Sequence, residues 1–241
     1  MKMTAKQQAE RLRNVKTLNA DSTGSRREPV STSSNSYRVI IDIEGTCADQ
    51  RSPEFDLKRS EIVSIGACLV DAKCNIVDEF YELVKPEIQP TLTPFCTEFL
   101  GISQDQVDNA DPYSVVQEKL DNWISESEKK YGNIIEWGSW GGYDKRQFLR
   151  NVEMLKTRKP DFLELPYLNL KDEYALMHAG IIKRKKAPGI GLAMFKQNME
   201  FTGTRHNALD DARNTVKLAK IIFGIEHSRH STTDVSCDPS P

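Results

Sequence analysis

The stretch YRVIIDIEGT, residues 37–46, decides the fold that we predict. Its β-branched apolar residues are typical of a buried strand, but Asp42 and Glu44 interrupt them two positions apart. Both carboxylates therefore point to the same face of the strand. Like charges held together in this way repel each other, and a bound divalent cation usually relieves this repulsion. The residues alone also allow another interpretation, in which this face is the wet side of an edge strand or the acids lie just past the strand end.

Two more strands follow this segment, and helical periodicity takes over after them. Residues 61–70 (EIVSIGACLV) and 76–84 (IVDEFYELV) are predicted strands, joined by the hairpin loop DAKCN. Helices are predicted at 93–100, 103–108, 112–129, 143–154, 170–179, 190–199 and 208–223, with a short strand at 133–137. Pro112 suits the first turn of its helix. This order of elements predicts an α/β domain in which helices flank a mixed sheet.

The chain has 241 residues and a net charge of −2, but its charge is unevenly distributed. Residues 1–36 carry seven basic and three acidic side chains and are predicted to be a flexible polar tail, as are residues 227–241. The predicted domain, residues 37–226, carries 25 basic and 30 acidic side chains. Because the predicted domain is net acidic, it is not expected to bind nucleic acid through its overall charge. A local basic groove and a targeting role of the first tail stay open.

Several features of the sequence favour an intracellular protein. No stretch reaches about 18 uncharged apolar residues, so no membrane-spanning helix is predicted, and the N-terminus lacks the apolar centre of a secretory signal. The five cysteines form no CxxC pair and are interpreted as reduced thiols that mostly fill the core. We expect a cytoplasmic location without membrane contact, with the nucleus open for a eukaryotic source.

A second group of candidate residues precedes the last predicted helix, in RHNALDDARN. Asn207 and Asp210 have the spacing of a capping pair, which places the helix start at Ala208. His206 before the cap and Asp211 in the first turn can then converge on one point. The alternative is that the acids only complement the helix dipole and that His206 is a surface loop residue.

A third candidate is Asp144, which begins the helix after the strand NIIEW and a glycine-rich turn, GSWGGY. The glycines of this turn allow the backbone to approach other groups closely. An acid at such a helix start can face a site at the ends of the strands. Stabilisation of the helix N-terminus by the same carboxylate is the other interpretation.

Together and in this order, the motifs DIEGT, WGSWGGYDKRQFL and HNALDDARN resemble the histidine-containing (DEDDh) branch of the DEDD exonuclease superfamily. The similarity is to Eri-type (enhanced-RNAi-like) 3′ exonucleases and covers residues 37–223. It implies an RNase H-like α/β fold. It also implies roles for five residues, with metal binding by Asp42, Glu44, Asp144 and Asp211 and general base catalysis by His206.

The activity implied by this resemblance is that of a metal-dependent 3′-to-5′ exoribonuclease, which acts at a free 3′ hydroxyl and releases nucleoside 5′-monophosphates. Two Mg²⁺ or Mn²⁺ ions about 4 Å apart suit this displacement and an oxygen-rich ligand set. The expected partner is single-stranded RNA or an RNA 3′ overhang, and no protein partner is indicated. A DNA exonuclease and a non-catalytic nucleic-acid-binding module are the alternatives.

Substrate contacts are expected at three places. The resemblance implies that Gly45 and Thr46 contact the terminal nucleotide of the substrate. Trp140 has two interpretations, as a ring that stacks on a base or as part of the core or a lid. The basic run KRKK, residues 183–186, is either a solvated loop, a phosphate-contacting patch or a nuclear address.

Overall fold

The computed structural model describes residues 36–49, 52–178 and 187–225. The two predicted tails and the basic run at residues 183–186 lie outside the described residues, apart from the single position Ser36. Within the described ranges, no helix combines the length and the apolar content that crossing a membrane requires.

A mixed sheet of six strands forms the centre of the described part of the chain. The strands are β1 (Ser36–Gly45), β2 (Ile62–Val70), β3 (Ile76–Lys85), β4 (Asp111–Pro112), β5 (Asn133–Ser139) and β6 (Tyr167–Asn169). Their spatial order is β4-β3-β2-β1-β5-β6. The pairs β1–β2 and β2–β3 are antiparallel, whereas β1–β5, β5–β6 and β3–β4 are parallel. Because β1 is an interior strand, the edge-strand interpretation of its acidic face is wrong.

Seven α-helices pack around this sheet in the described ranges. They are α1 (Pro94–Leu100), α2 (Gln104–Asp108), α3 (Tyr113–Tyr131), α4 (Tyr143–Leu155), α5 (Leu170–Met177), α6 (Ile190–Lys196) and α7 (Ala208–Ile222). Short 3-10 turns occupy Leu57–Arg59 and Asp161–Glu164. Each predicted helix is present with its ends within three residues of the prediction, and the α/β architecture is confirmed.

The two strands that the sequence did not predict, β4 and β6, are also the shortest. They have two and three residues, too few to show a period. β6 extends the sheet by pairing with the last residues of β5. Pro112, expected in the first turn of α3, is instead its N-cap and part of β4, because its ψ of 158° is extended.

Hydrophobic cores lie on both faces of the sheet. Along β1, Val39, Ile41 and Ile43 face one core with residues of α3 and α4, while Ile40 faces a second core with residues of α5, α6 and α7. This alternation is the period of a strand covered on both sides. Asp42 and Glu44 share the face of Ile40, so they point towards the layer that contains α7.

The start of α7 lies directly on β2. A Cβ added at Gly66, which pairs with Asp42, would lie only 2.2 Å from the carbonyl carbon of Ala208 and from the nitrogen of Leu209. Real Cβ atoms do not approach backbone atoms so closely, so this contact requires glycine. The close approach brings the first turn of α7 to the acidic face of β1.

Candidate active site

Three separate elements supply one acidic cluster. Asp42 and Glu44 come from β1, Asp144 from the first turn of α4 and Asp211 from the first turn of α7. The four side chains lie close enough that the charges of the other three all raise the pKa of Asp42. The structure therefore brings together the four carboxylates that the sequence predicted.

Hydrogen bonds fix the two carboxylates that come from helices. The amide of Ile43 donates to Oδ1 of Asp144 at 3.2 Å, which ties the start of α4 to the end of β1. The amide of His206 donates to Oδ2 of Asp211 at 2.9 Å. Each carboxylate thus has a position set by main-chain geometry.

The predicted cap of α7 is present in part. Asn207 is the N-cap, and its Oδ1 accepts a hydrogen bond from the amide of Asp210 at 3.1 Å. The reciprocal bond of a full capping box is replaced, because Oδ2 of Asp210 accepts from the amide of Thr204 at 2.8 Å. Asp210 therefore stabilises the loop before α7, and Asp211 is left to face the cluster.

His206 lies at the edge of the acidic cluster. Its φ of 64° is in the left-handed region, and its Nδ1 is 3.8 Å from Oε1 of Glu44. Glu44, His206 and Asp211 each offer a ligand atom within 4.8 Å of the others. The imidazole also lies against the ring of Phe99, with centroids 3.9 Å apart. The convergence of His206 and Asp211 that the sequence suggested is what the structure shows.

Burial raises the pKa values of all four carboxyl groups, and repulsion by neighbouring carboxylates adds to the rise for Asp42 and Glu44. The pKa of Asp42 rises well above its usual range, and that of Glu44 rises to about 8, in each case mainly through burial and then through the neighbouring carboxylates. Burial also raises the pKa values of Asp144 and Asp211 to about 6, against the effect of their hydrogen bonds. Such a cluster of oxygen donors could hold hard divalent cations, which would relieve the repulsion.

The electrostatics of His206 differ from those of the acids. Burial and the positive charge of Arg205 lower the pKa of the imidazole from its ordinary value of 6.5. The ring is therefore neutral near pH 7 and can accept a proton there. Its side chain is 42% exposed, so water can reach it.

A cavity of about 280 Å³ opens beside Glu44. Two of the predicted substrate-contacting residues, Gly45 and Thr46, are in its wall. The side chain of Thr46 is already engaged, because its Oγ1 accepts from the amide of Glu61 at 2.9 Å. The complete lining consists of Glu44, Gly45, Thr46, Cys47, Leu57, Ser60, Phe99, Leu100, Tyr143 and Arg150.

Sequence reasoning missed several residues of this wall. Tyr143 directly precedes Asp144, so its proximity to the site could have been inferred from the position of that acid. Phe99 and Leu100 come from α1, whose docking beside β1 depends on tertiary packing that a local pattern does not show. Arg150 lies two turns into α4 and had no motif to mark it.

The structure places Trp140 in the core and not on the cavity wall. Only 9% of the residue is exposed, and its ring lies 5.5 Å from that of Tyr174. Its indole N–H donates to the carbonyl of Pro188 at 3.0 Å. Trp140 is therefore a core residue, in agreement with one of its two interpretations. Its assignment as a substrate-binding residue that stacks on a base is wrong.

Residues 39–219 of the chain, which hold this fold and this site, match the family described as Exonuclease, the RNase T family. The match covers about three quarters of the chain, and the chain belongs to this exonuclease family. Within the family it is of the DEDDh, Eri type, as its motifs predicted.

Curated relatives carry exoribonuclease names. Human 3′-5′ exoribonuclease 1 is 31% identical over 188 residues, which cover 76% of this chain and 51% of that protein. ERI1 exoribonuclease 2 of Danio rerio is 31% identical over 233 residues, which cover 90% of this chain and 40% of that protein. The chain thus spans about half the length of these relatives, or less.

Solved structures show the same architecture. The nuclease domain of 3′hExo, a DEDDh family member bound to rAMP, superposes with a TM-score of 0.68 at 28% identity, covering 78% of this chain and 92% of that one. Cell-death related nuclease 4 has a TM-score of 0.66 at 22% identity, covering 78% of this chain and 64% of that one, which shows the fold alone. The predicted RNase H-like exonuclease fold is confirmed.

Proposed function

We propose that this chain is a metal-dependent 3′-to-5′ exoribonuclease, which hydrolyses RNA from a free 3′ hydroxyl end and releases nucleoside 5′-monophosphates. The observation that carries the proposal is the convergence of four carboxylates and one histidine, one of which, Glu44, is also in the wall of a cavity. The exoribonuclease names of the relatives support RNA as the substrate. Single-stranded RNA or an RNA 3′ overhang is the proposed partner.

The acidic cluster suits two Mg²⁺ or Mn²⁺ ions. The residues that would hold them are Asp42, Glu44, Asp144 and Asp211. Their raised pKa values support this assignment, because they show that ionising these buried carboxyl groups is unfavourable when no cation is bound. Oxygen donors are the ligands that these metals prefer. When bound, the ions supply a water of lowered pKa and stabilise charge on the leaving oxygen.

His206 is the proposed general base. Its lowered pKa keeps the imidazole neutral near pH 7, so that it can take a proton from the attacking water. Two contacts hold the ring at the site, the bond from its own amide to Asp211 and the packing against Phe99. Attack on the last phosphodiester breaks the bond to the leaving 3′ oxygen, which leaves a new 3′ hydroxyl on the shortened strand.

The cavity beside Glu44 is the proposed site of the terminal nucleotide. It is small, and its wall includes the apolar residues Leu57, Phe99 and Leu100, against which a base can pack. Gly45 is also in the wall, and a Cβ at this position would lie 2.7 Å from the Tyr143 hydroxyl. A single unpaired nucleotide suits this space better than a duplex end, which favours single-stranded 3′ ends as substrates.

The test is a time course on 5′-labelled single-stranded RNA with a 3′ hydroxyl, in Mg²⁺, Mn²⁺ or EDTA. The wild type should give a ladder that shortens from the 3′ end. EDTA, Asp42→Ala and His206→Ala should each abolish it. Glu126→Ala, which removes an exposed carboxylate of α3 away from the cluster, is the control and should leave the ladder unchanged.

Other outcomes would support the alternatives. Intact RNA in every metal, together with measurable RNA binding, would identify a non-catalytic binding module. Faster cleavage of a matched DNA oligonucleotide would identify a DNA exonuclease of the same family. Either result would overturn the proposed activity without changing the family assignment.

A further inference from the structure

We propose that Arg213 is a positioning residue for the proposed general base, because it holds the loop that carries His206 through a chain of ionic hydrogen bonds. Arg213 lies on the second turn of α7 and is not among the residues of the cavity wall. The anchoring of the loop does not depend on the proposed nuclease function. Its expected effect on RNA cleavage does rest on that function, so the two are measured separately.

Arg213 joins an acid of the sheet to an acid of its own helix. Its Nε and Nη2 donate to the two carboxylate oxygens of Glu79, on β3, at 2.7 Å each. Its Nη1 donates to Oδ1 of Asp210 at 3.0 Å. The paired contact with Glu79 uses the planar fork of the guanidinium, which fixes direction as well as charge. The side chain of Asp210 is therefore held in place from the sheet.

Asp210 in turn holds the loop before α7. Its second oxygen, Oδ2, accepts from the amide of Thr204 at 2.8 Å, two residues before His206. The loop also packs against the carboxylate at Gly203, whose φ is 87°. A Cβ at this glycine would lie 2.3 Å from both Cγ and Oδ2 of Asp210. The loop backbone therefore rests directly on the carboxylate that Arg213 fixes.

The backbone of His206 requires this support. Its φ of 64° lies in the left-handed region, which is uncommon for residues other than glycine. A residue keeps such a conformation only where the surrounding contacts enforce it. His206 lies in a turn that is closed by a hydrogen bond from the amide of Asn207 to the carbonyl of Thr204, at 3.3 Å. Since Thr204 begins this turn, holding its amide holds the turn and with it the imidazole.

Other residues of α7 hold the earlier part of the same loop. The amide group of Asn214 donates to the carbonyl of Thr202 at 2.8 Å and accepts from its amide at 3.1 Å. Nζ of Lys217 donates to Oγ1 of Thr202 at 2.8 Å. These contacts do not involve Arg213. Its removal should therefore loosen residues 203–206 and leave the rest of the loop on the helix.

The effect on RNA cleavage should appear in kcat and not in KM. The cavity wall, the proposed site of the terminal nucleotide, includes neither Arg213 nor a residue of the loop 201–206. Misplacing a catalytic group by about 1 Å can slow a reaction by about 100-fold. We therefore expect Arg213→Ala to lower kcat by about 10- to 100-fold, while KM stays within about twofold of the wild type.

The experiment measures amide hydrogen exchange without RNA and steady-state RNA cleavage, both on the full chain. Arg158→Ala is the matched control for Arg213→Ala, because Arg158 also forms two ion pairs, with Asp121 at 2.8 Å and Asp161 at 3.2 Å. The two arginine side chains are 39% and 51% exposed, respectively. Arg213→Ala should speed exchange in peptides that cover residues 200–207 and lower kcat. Arg158→Ala should leave both unchanged.

Two further variants test the chain of contacts without removing a cation from α7. Glu79→Gln removes the negative charge on the sheet side, so it should change exchange and kcat in the same direction by a smaller factor. Arg213→Lys keeps the positive charge but lacks the planar fork, so it should recover only part of kcat.

Unchanged exchange at residues 200–207 in both Arg213→Ala and Glu79→Gln would overturn the proposed anchoring. Faster exchange with an unchanged kcat would overturn its coupling to the general base. An equal loss of kcat in Arg158→Ala would also overturn that coupling, since it would assign the effect to general destabilisation. A wild type that never cleaves RNA, although exchange depends on Arg213 as expected, would contradict the proposed function while the anchoring of the loop stands.

Discussion

Phe99 is the residue that joins the cavity to the proposed general base. Its ring lies 3.9 Å from the imidazole of His206 and stacks on the ring of Phe95 at 5.3 Å, both distances being between ring centroids. The residue is still 42% exposed, so part of the ring faces the cavity. One aromatic side chain therefore can both hold His206 and pack against a terminal base.

Replacing Phe99 by alanine tests this double contact. Because aromatic contacts of this kind contribute about 0.5–1.5 kcal/mol each, loss of both contacts in Phe99→Ala should lower kcat/KM for RNA by roughly 5- to 150-fold. The measurement is steady-state cleavage of a labelled single-stranded RNA. Phe195→Ala removes a ring that is 75% exposed and serves as the control. Equal kinetics of the two variants would show that Phe99 does not position the site.

His206 requires a test that separates a base from a metal ligand, since its ring nitrogen lies within ligand distance of Glu44 and Asp211. As a general base, His206→Ala should lower kcat by about 10²- to 10⁴-fold and leave the stabilisation by Mg²⁺ unchanged. Asp211→Asn should lose both activity and much of that stabilisation. The readouts are single-turnover cleavage and thermal unfolding with and without Mg²⁺. If His206→Ala also removes the thermal shift, the histidine is a ligand.

At the scale of elements, the site depends on how α7 is placed against β2. Gly66 leaves no room for a side chain below Ala208 and Leu209, and the same first turn of α7 carries Asp211. The acids of β1 are fixed by the sheet, whereas Asp211 and His206 move with α7. The distance from the β1 carboxylates to Asp211 and His206 is therefore set by the contact between α7 and β2.

The substitution Gly66→Ala should move Asp211 and His206 away from the β1 carboxylates. Overpacking of this kind destabilises a protein by about 1–3 kcal/mol, and the helix can relieve it by moving outward. We expect a folded protein with a lower melting temperature and at least about 100-fold less nuclease activity. Circular dichroism and the RNA assay measure the two effects. Gly189→Ala is the matched control, because a Cβ there meets no atom within 4 Å. Full activity in Gly66→Ala would exclude this role of the contact.

The contrast between local and tertiary signals explains what the sequence could predict. The alternation on β1 and the cap at Asn207 are local patterns, and they located the acids and the start of α7 correctly. Phe99 reaches the site only through the docking of α1, which no periodicity reveals. For Trp140 the sequence left base stacking and a core or lid role open, and the burial of its indole against Tyr174 depends on tertiary packing that a local motif does not show.

At the scale of the whole molecule, the acidic cluster opposes the stability of the fold. A carboxyl group whose pKa is higher in the folded than in the unfolded state binds more protons when folded, so stability falls as pH rises between the two values. For Glu44 that interval runs from its ordinary value of 4.5 to about 8. Asp144 and Asp211, with values raised from 3.8 to about 6, add to the loss at lower pH.

The EDTA-treated protein should therefore be more stable at pH 5 than at pH 8, by at least about 3 kcal/mol. Mg²⁺ should restore most of this loss at pH 8 and have little effect at pH 5, where protonated carboxyl groups bind cations weakly. Thermal unfolding at matched ionic strength measures both effects.

Glu44→Gln removes one charge of the cluster, so without metal it should melt higher than the wild type at pH 8 and be inactive. Glu126→Gln, which removes an exposed charge elsewhere, should melt like the wild type. Equal stability of the metal-free wild type at pH 5 and pH 8 would contradict the electrostatic strain inferred for the cluster, because ionising these buried carboxylates must destabilise the folded state unless a cation is bound.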